Sequence, residues 1–261
     1  MSEANDLAEI ASTQIVHEIQ DQPMVVVPQG YEVRDLENFL DAPRRVRASP
    51  RLNSADSFID YVLNNKDDAT AIFADEDSAV VRAVMDYHQA GEDSCYLPGW
   101  CAHQAHYACK ISREWTSWLR LNGELQLQEN FAEMLETRAQ EIISPAGAEL
   151  LETALKFQVI RKATFGSAMR LNTGEFQFQF NEENQKGTVE LPEEITIAVA
   201  PFHNGDKYEV KARLRYRLRE GILKLAYHLV DPEKVTEHAF EKIVTEIGEK
   251  LPDVPLYQGR L

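Results

Sequence analysis

Residues 78–118 concentrate the side chains that could do chemistry. Cys95, Cys101 and Cys109 are all the cysteines of the 261-residue chain, and His88, His103 and His106 are three of its seven histidines. Trp100, Trp115 and Trp118 are its three tryptophans. Thiolate and imidazole together suit zinc, usually as four ligands in a tetrahedron. The run Cys95-x5-Cys101-x-His103-x2-His106-x2-Cys109 matches no standard finger or ribbon, in which two close pairs face one another. The plainer expectation is that the cysteines pack as small hydrophobes and the histidines hydrogen-bond locally. Asp86 and His88 offer a second chemistry. At i and i+2 on a strand they share a face and could serve as general acid and base, but no nucleophile accompanies them. The sequence implies no cofactor.

These residues need elements to position them. Ser78–His88 reads as a buried strand from its β-branched, apolar run. Ser112 caps a helix opening Glu114-Trp-Thr-Ser-Trp118, with both tryptophans on one face at i, i+3; large aromatics so placed read as core. Upstream, Leu7, Ile10, Ala11, Ile15 and Ile19 follow a period of about 3.6, so residues 2–19 read as an amphipathic helix. A short strand follows at Met24–Val27 and a short helix at 35–40. The cluster Arg44-Arg-Val-Arg47 reads as a charged, solvated edge. Ser54 caps a helix to about Asn64 with Phe58, Tyr61 and Val62 facing in, and Thr70–Ala74 is a strand. Phe73, Val81 and Val84 are expected in one core. Helices are expected over Gln126–Ile143 and from Pro145 to about Phe157.

From Val159 to Val230 the apolar period changes to two. Phe176, Phe178 and Phe180 alternate with Gln177 and Gln179, and the same alternation runs through Tyr208–Leu218 and Leu223–Leu229. Asn172-Thr-Gly174, Asn204-Gly205 and Glu220-Gly221 supply hairpin turns. The expectation is a five-stranded antiparallel meander over 159–171, 175–181, 188–199, 207–219 and 222–230, covered on its apolar face by a helix over Pro232–Leu251. The fold class is therefore α+β: a helical, mixed N-terminal half, then a long meander under a C-terminal helix. Three segments follow: 1–50, an N-terminal helix and arm; 51–157, mixed α/β; and 158–261, sheet and helix, which can be continuous with 51–157.

Apolar residues make up 44% and charged residues 27% of the chain, the composition of a globular protein rather than a disordered one. Forty-three acids against 27 bases leave a net charge of −16, which disfavours non-specific binding to nucleic acid or an anionic membrane. Three cysteines make no disulfide framework, and the acidic start lacks the apolar core of a signal peptide. No apolar run approaches the roughly 20 residues of a spanning helix. A cytoplasmic protein without a membrane partner is expected. Gly-rich phosphate loops, His-Glu-x-x-His and Gly-x-Ser-x-Gly are all absent.

One strand departs from the acidic average. The polar face of 207–219 carries Lys207, Glu209, Lys211, Arg213, Arg215, Arg217 and Arg219. Alternation spaces these side chains about 6.6 Å apart, comparable with successive phosphates of a nucleic-acid strand. Three roles are open: neutralisation by glutamates such as Glu175, Glu190 and Glu194 on neighbouring strands, contact with the acidic surface of another subunit, and nucleic-acid binding.

Asp86-Tyr-His88, Glu114-Trp-x-x-Trp118, Gln128-Glu-Asn-Phe-Ala132 with Glu136, the strand Phe176–Phe180, and Phe202 followed by Tyr208-x-Val-x-Ala-Arg-Leu-Arg-Tyr216 resemble the YfdQ-like prophage proteins, a family of unknown function. The resemblance covers residues 55–259. It implies a bacterial cytoplasm during phage infection or lysogeny and brings no activity with it; the cysteines lie outside the shared pattern. The leading expectation is a non-enzymatic phage accessory protein that forms a homo-oligomer. The alternatives are a nucleic-acid-binding accessory of phage replication or recombination that uses the basic strand face, and an enzyme with an Asp/His site within residues 86–106.

Overall fold

A computed structural model of the chain describes residues 16–19, 22–25, 30, 32, 37–90, 96–159, 164–182 and 185–261. They form an α+β fold in two compact units, Met1–Val46 and Arg47–Leu261.

In the first unit, β1 (Val16–Ile19) pairs antiparallel with β2 (Gln22–Val25), and a single 3-10 turn spans Glu37–Phe39. The helix expected over 2–19 is corrected at its end: Val16–Ile19 is a strand. Pairing with β2, in which Val16 faces Val25 and Ile19 faces Gln22, takes up these residues in a ladder that suits β-branched residues. Residues 2–15 lie outside the described residues.

The second unit contains two cores. The first lies beneath a five-stranded mixed sheet in the order β17-β4-β5-β8-β3. Its strands are β3 (Arg51–Leu52), β4 (Ala71–Asp75), β5 (Val80–Val84), β8 (Gln104–Ala108) and β17 (Leu256–Gln258). Helices α1 (Ala55–Asn65) and α5 (Pro232–Lys250) cover one face, packing Phe58, Val62, Phe240, Val244 and Ile247 against Ile72, Val81, Ala83 and Ala105. The C-terminal helix was expected over the long meander, and its buried face instead serves this sheet. The physical reason is the parallel pairing of β17 with β4, which brings the chain after α5 back to this sheet. Phe73 is also corrected. Alternation turns Ile72 and Ala74 inward, so Phe73 lies on the opposite face, against Tyr87 and Tyr257. A small ribbon, β6 (Gln89–Ala90) with β7 (Tyr96–Leu97), follows β5.

The second core lies between two sheets. One is a three-stranded meander of β11 (Thr164–Arg170), β12 (Phe176–Glu182) and β13 (Gln185–Leu191). The other has the order β10-β14-β15-β16-β9, built from β9 (Gln126–Leu127), β10 (Ile142–Ser144), β14 (Glu194–Val199), β15 (Tyr208–Arg219) and β16 (Ile222–Leu229). Phe176 and Phe178 of β12 each meet Tyr216 of β15 at 5.1 Å. Helices α2 (Arg113–Arg120), α3 (Gln128–Thr137) and α4 (Gly147–Val159) add Trp115, Trp118, Phe131, Leu150 and Phe157.

The five-stranded meander is thus corrected to two three-stranded runs in different sheets. The expected strand 188–199 breaks at Pro192, which cannot donate to a ladder, and its halves join different partners. The helix expected over Gln126–Ile143 is likewise shorter. Gln126 and Leu127 pair with β16, and Ile142 pairs with Ile197; a β-branched pair beside Pro145 suits a strand better than a last helical turn. The turn at Glu220-Gly221 has positive φ at both residues, 53° and 77°, as a two-residue hairpin requires.

Ser112 joins the cores. Its hydroxyl accepts from Trp115 N at 3.0 Å, capping α2, and donates to the Ala200 carbonyl at 2.6 Å. Its own amide donates to the Pro201 carbonyl at 2.8 Å. Ser112→Ala should therefore cost about 2 kcal/mol, the upper range for a cap, because a buried bond is lost with it. Urea denaturation should show a lower midpoint with an unchanged slope.

Candidate functional site

The chemical cluster of residues 78–118 is organised around the loop 99–103. The Asp86 carboxylate accepts from two backbone amides, Ala102 through Oδ2 and His103 through Oδ1, both at 2.9 Å. His88 Nδ1 accepts the Gly99 amide at 3.0 Å. A Cβ on Gly99 would lie 2.1 Å from the Asp86 carbonyl oxygen, so only glycine fits that approach. Asp86 and His88 do act on one segment, but each as an acceptor that fastens backbone. Both Asp86 oxygens and one His88 nitrogen are engaged in that way.

The other candidates are dispersed. His103 is buried, with Nε2 at 2.9 Å from the Tyr61 hydroxyl. His106 is three residues on and faces the opposite side of β8, where Arg82 Nε donates to its Nδ1 at 3.3 Å. Nδ1 is therefore the acceptor, and the neutral ring donates through Nε2 to Ser49 Oγ at 2.9 Å. Cys109 is buried in the first core; burial pushes its thiol up to about 11, against a hydrogen bond with Tyr107 that lowers it. Burial and then the Asp86 charge raise Cys101. Neither thiol is poised as a thiolate nucleophile or ligand. Cys95 lies outside the described residues. Among the described residues no three of His, Cys, Asp and Glu converge as a metal site.

The basic strand face is assembled as its alternation predicts. Val210, Ala212 and Leu214 point into the core, while Glu209, Lys211, Arg213, Arg215, Arg217 and Arg219 are exposed. Lys207 precedes the strand and is exposed too. Neutralisation reaches only one end: Glu194 pairs with Lys211 at 2.9 Å and with Arg213 at 3.9 Å. Glu190 is on β13 of the other sheet, bonded to Gln177, and Glu175 lies in the turn before β12, bonded to Thr173. Across the ladder on β16, Arg215 faces Ala226, Arg217 faces Lys224 and Arg219 faces Ile222. Among the described residues none of Arg215, Arg217, Arg219 and Lys224 has an acidic side chain within ion-pair distance.

A concave counterpart exists on the same unit. A cleft of about 380 Å³ between α4 and the β12–β13 meander is lined by Glu149, Glu152, Glu175 and Glu190, with Lys156 as its single base. Lys156 is paired to Glu152 at 2.9 Å.

The chain belongs to an uncharacterised conserved protein family, DUF2303. The family profile matches residues 2–261. No curated protein and no solved structure matches the chain. Membership in DUF2303 assigns no activity, so the reading of these surfaces rests on their geometry. Among the described residues no helix is long and apolar enough to cross a membrane.

Sequence reasoning found the basic strand and missed its acidic counterpart. The four glutamates come from a helix, one strand and the turn before β12, and meet only through α4 packing on β13. Their separate signals, single acids on exposed positions, carry no mark of convergence.

Burial, then the positive charges of Arg82 and Arg51, lowers the His106 pKa. The unfolded chain takes up this proton near the ordinary value of about 6.5, the folded chain only at lower pH. Between those values the unfolded state binds more protons, so this contribution is complete above about pH 6.5 and is lost as the pH falls. His106→Gln should remove it. Urea denaturation at about pH 7.5 and 5.5 should show a smaller loss on acidification in the variant than in the parent.

Proposed function

We propose that the protein is a non-enzymatic accessory protein that assembles with copies of itself through the basic face of β15. The observation that carries this reading is the run Arg215, Arg217, Arg219 and Lys224, exposed and without an acidic partner among the described residues. Arg217 and Lys224 are directly opposed, an arrangement that destabilises an isolated sheet and is relieved when an acidic surface approaches. In a chain of net charge −16, such a surface is available on every copy, and the Glu149–Glu152–Glu175–Glu190 cleft is concave where the strand face is flat. Strip and cleft share no residue, so the contact is heterologous and repeats as a ring or a filament. The engagement of Asp86 and His88 with backbone amides supports a binding rather than a catalytic role. By its resemblance to YfdQ-like prophage proteins, we propose the cytoplasm of a bacterium carrying a phage or prophage as the setting of this assembly.

A second reading uses the same strand. Arginines about 6.6 Å apart along an extended strand can follow a phosphate backbone, and guanidinium binds phosphate in bidentate fashion. On that reading the protein is a nucleic-acid-binding accessory of phage replication or recombination.

Light scattering on size-exclusion eluate separates them. At about 50 mM salt, where screening is weak, the parent should elute as a nucleic-acid-free multiple of 29.7 kDa. Arg215→Glu with Arg217→Glu should elute as one chain, and about 0.5 M salt should dissociate the parent. A parent of 29.7 kDa at low salt contradicts self-assembly. A high 260/280 nm ratio that disappears with the double substitution would favour the second reading.

A further inference from the structure

The geometry points to a single-stranded nucleic-acid site on the outer face of the β17-β4-β5-β8-β3 sheet, separate from the basic strand. Strand pairing sets one outward residue from each of the five strands in a single cross-strand row. Tyr257 pairs with Phe73, Phe73 with Arg82, Arg82 with His106, and His106 with Arg51. At about 4.8 Å per strand the row spans roughly 19 Å. One end is aromatic: Tyr257 and Phe73 stack at 5.4 Å and 29°, and Tyr87 meets Phe73 edge-on at 5.3 Å. The other end carries Arg82 and Arg51 on either side of His106.

The face is open enough to be used. Tyr257 is 50% exposed, and Arg51 is exposed. Phe73, Tyr87, Arg82 and His106 are half-buried. Arg82 is fixed by its bonds to His106 Nδ1 and to a main-chain oxygen of Leu261, the latter at 2.8 Å. Among outward positions of β4, β5 and β8 the sole acid is Asp75, which accepts from Ser78 Oγ at 2.6 Å. A half-aromatic, half-cationic row in an acidic protein selects a ligand with flat apolar faces and regularly spaced negative charge. Unpaired bases stack on aromatic rings while arginines take the phosphates. A duplex hides its base faces and satisfies only the cationic end. An acidic protein segment would likewise leave the rings unused.

The test is fluorescence anisotropy with the full chain and labelled oligonucleotides of about 20 nucleotides, a length that spans such a site. The probes are oligo-dT, oligo-rU and a duplex of equal length. A single strand should bind more tightly than the duplex, and the dT and rU arms report whether DNA or RNA is preferred. Tyr257→Ala should weaken single-strand binding roughly 10-fold, the loss of one stacked base. Arg51→Glu should weaken it as well. Both changes are at exposed positions, and circular dichroism checks that the variants fold. Arg217→Glu, on the other sheet, should leave the single-strand preference over duplex intact. Absence of binding at about 50 mM salt, equal affinity for duplex, or unchanged affinity in Tyr257→Ala or Arg51→Glu overturns the site. A preference abolished by Arg217→Glu alone overturns it too, and assigns the nucleic acid to β15.

Discussion

Ser112 is the point through which the two cores are built as one body. Its hydroxyl caps α2, and the same oxygen donates to the Ala200 carbonyl. Just before it, Ile111 bridges to Phe202, and the His203 amide donates to the Lys110 carbonyl. The segment after β8 is thereby clipped to the segment between β14 and β15. Just beyond, Tyr208 packs against both hydrophobic clusters. Trp115 is buried in the meander core and donates its indole N–H to Thr236 of α5, the helix that covers the other sheet. Polar bonds of this kind are individually modest. Their value lies in leaving no buried donor or acceptor unpaired where two cores meet.

Two of the outward sheet faces differ in chemistry. The face of β15 is largely cationic, with Glu209 on the strand itself and Glu194 beside it on β14 as its acids. The face of the β17-β4-β5-β8-β3 sheet runs from rings at one edge to cations at the other, across the strands instead of along one. A row along a strand is spaced for a rigid partner's charges, whereas a row across strands offers a graded platform. The difference arises because β15 is a single 12-residue strand that can hold a whole charge pattern, while the other face is assembled from five short strands.

Much of this was legible in the sequence, and the failures have identifiable causes. Ser54 and Ser112 marked their helices because capping chemistry is local. The basic face of β15 was readable because alternation over 12 residues fixes which side chains share a face. Lost were features that depend on which strands pair. Pro192 divided a continuous alternation between two sheets, and the parallel addition of β17 carried α5 away from the meander. The Tyr257–Arg51 row joins residues far apart in the chain; of its five, the sequence marks His106 for chemistry and Phe73 only for the core. The Asp86–His88 pair shows a different limit. Spacing put both on one face of a strand, but β5 ends at Val84 and both residues follow it, and spacing does not reveal that backbone amides occupy their acceptor atoms.

The central claim is that strip and cleft are complementary surfaces of the same protein. Its most direct measurement is the mass of a mixture of two variants. One carries Arg215→Glu and Arg217→Glu with its cleft intact. The other carries Glu149→Lys and Glu152→Lys with its strip intact. Each alone should be a 29.7 kDa monomer, and an equimolar mixture should form a species of about twice that mass, since one intact strip meets one intact cleft. Variants that each keep the parent's mass, or a mixture that stays monomeric, would contradict the account.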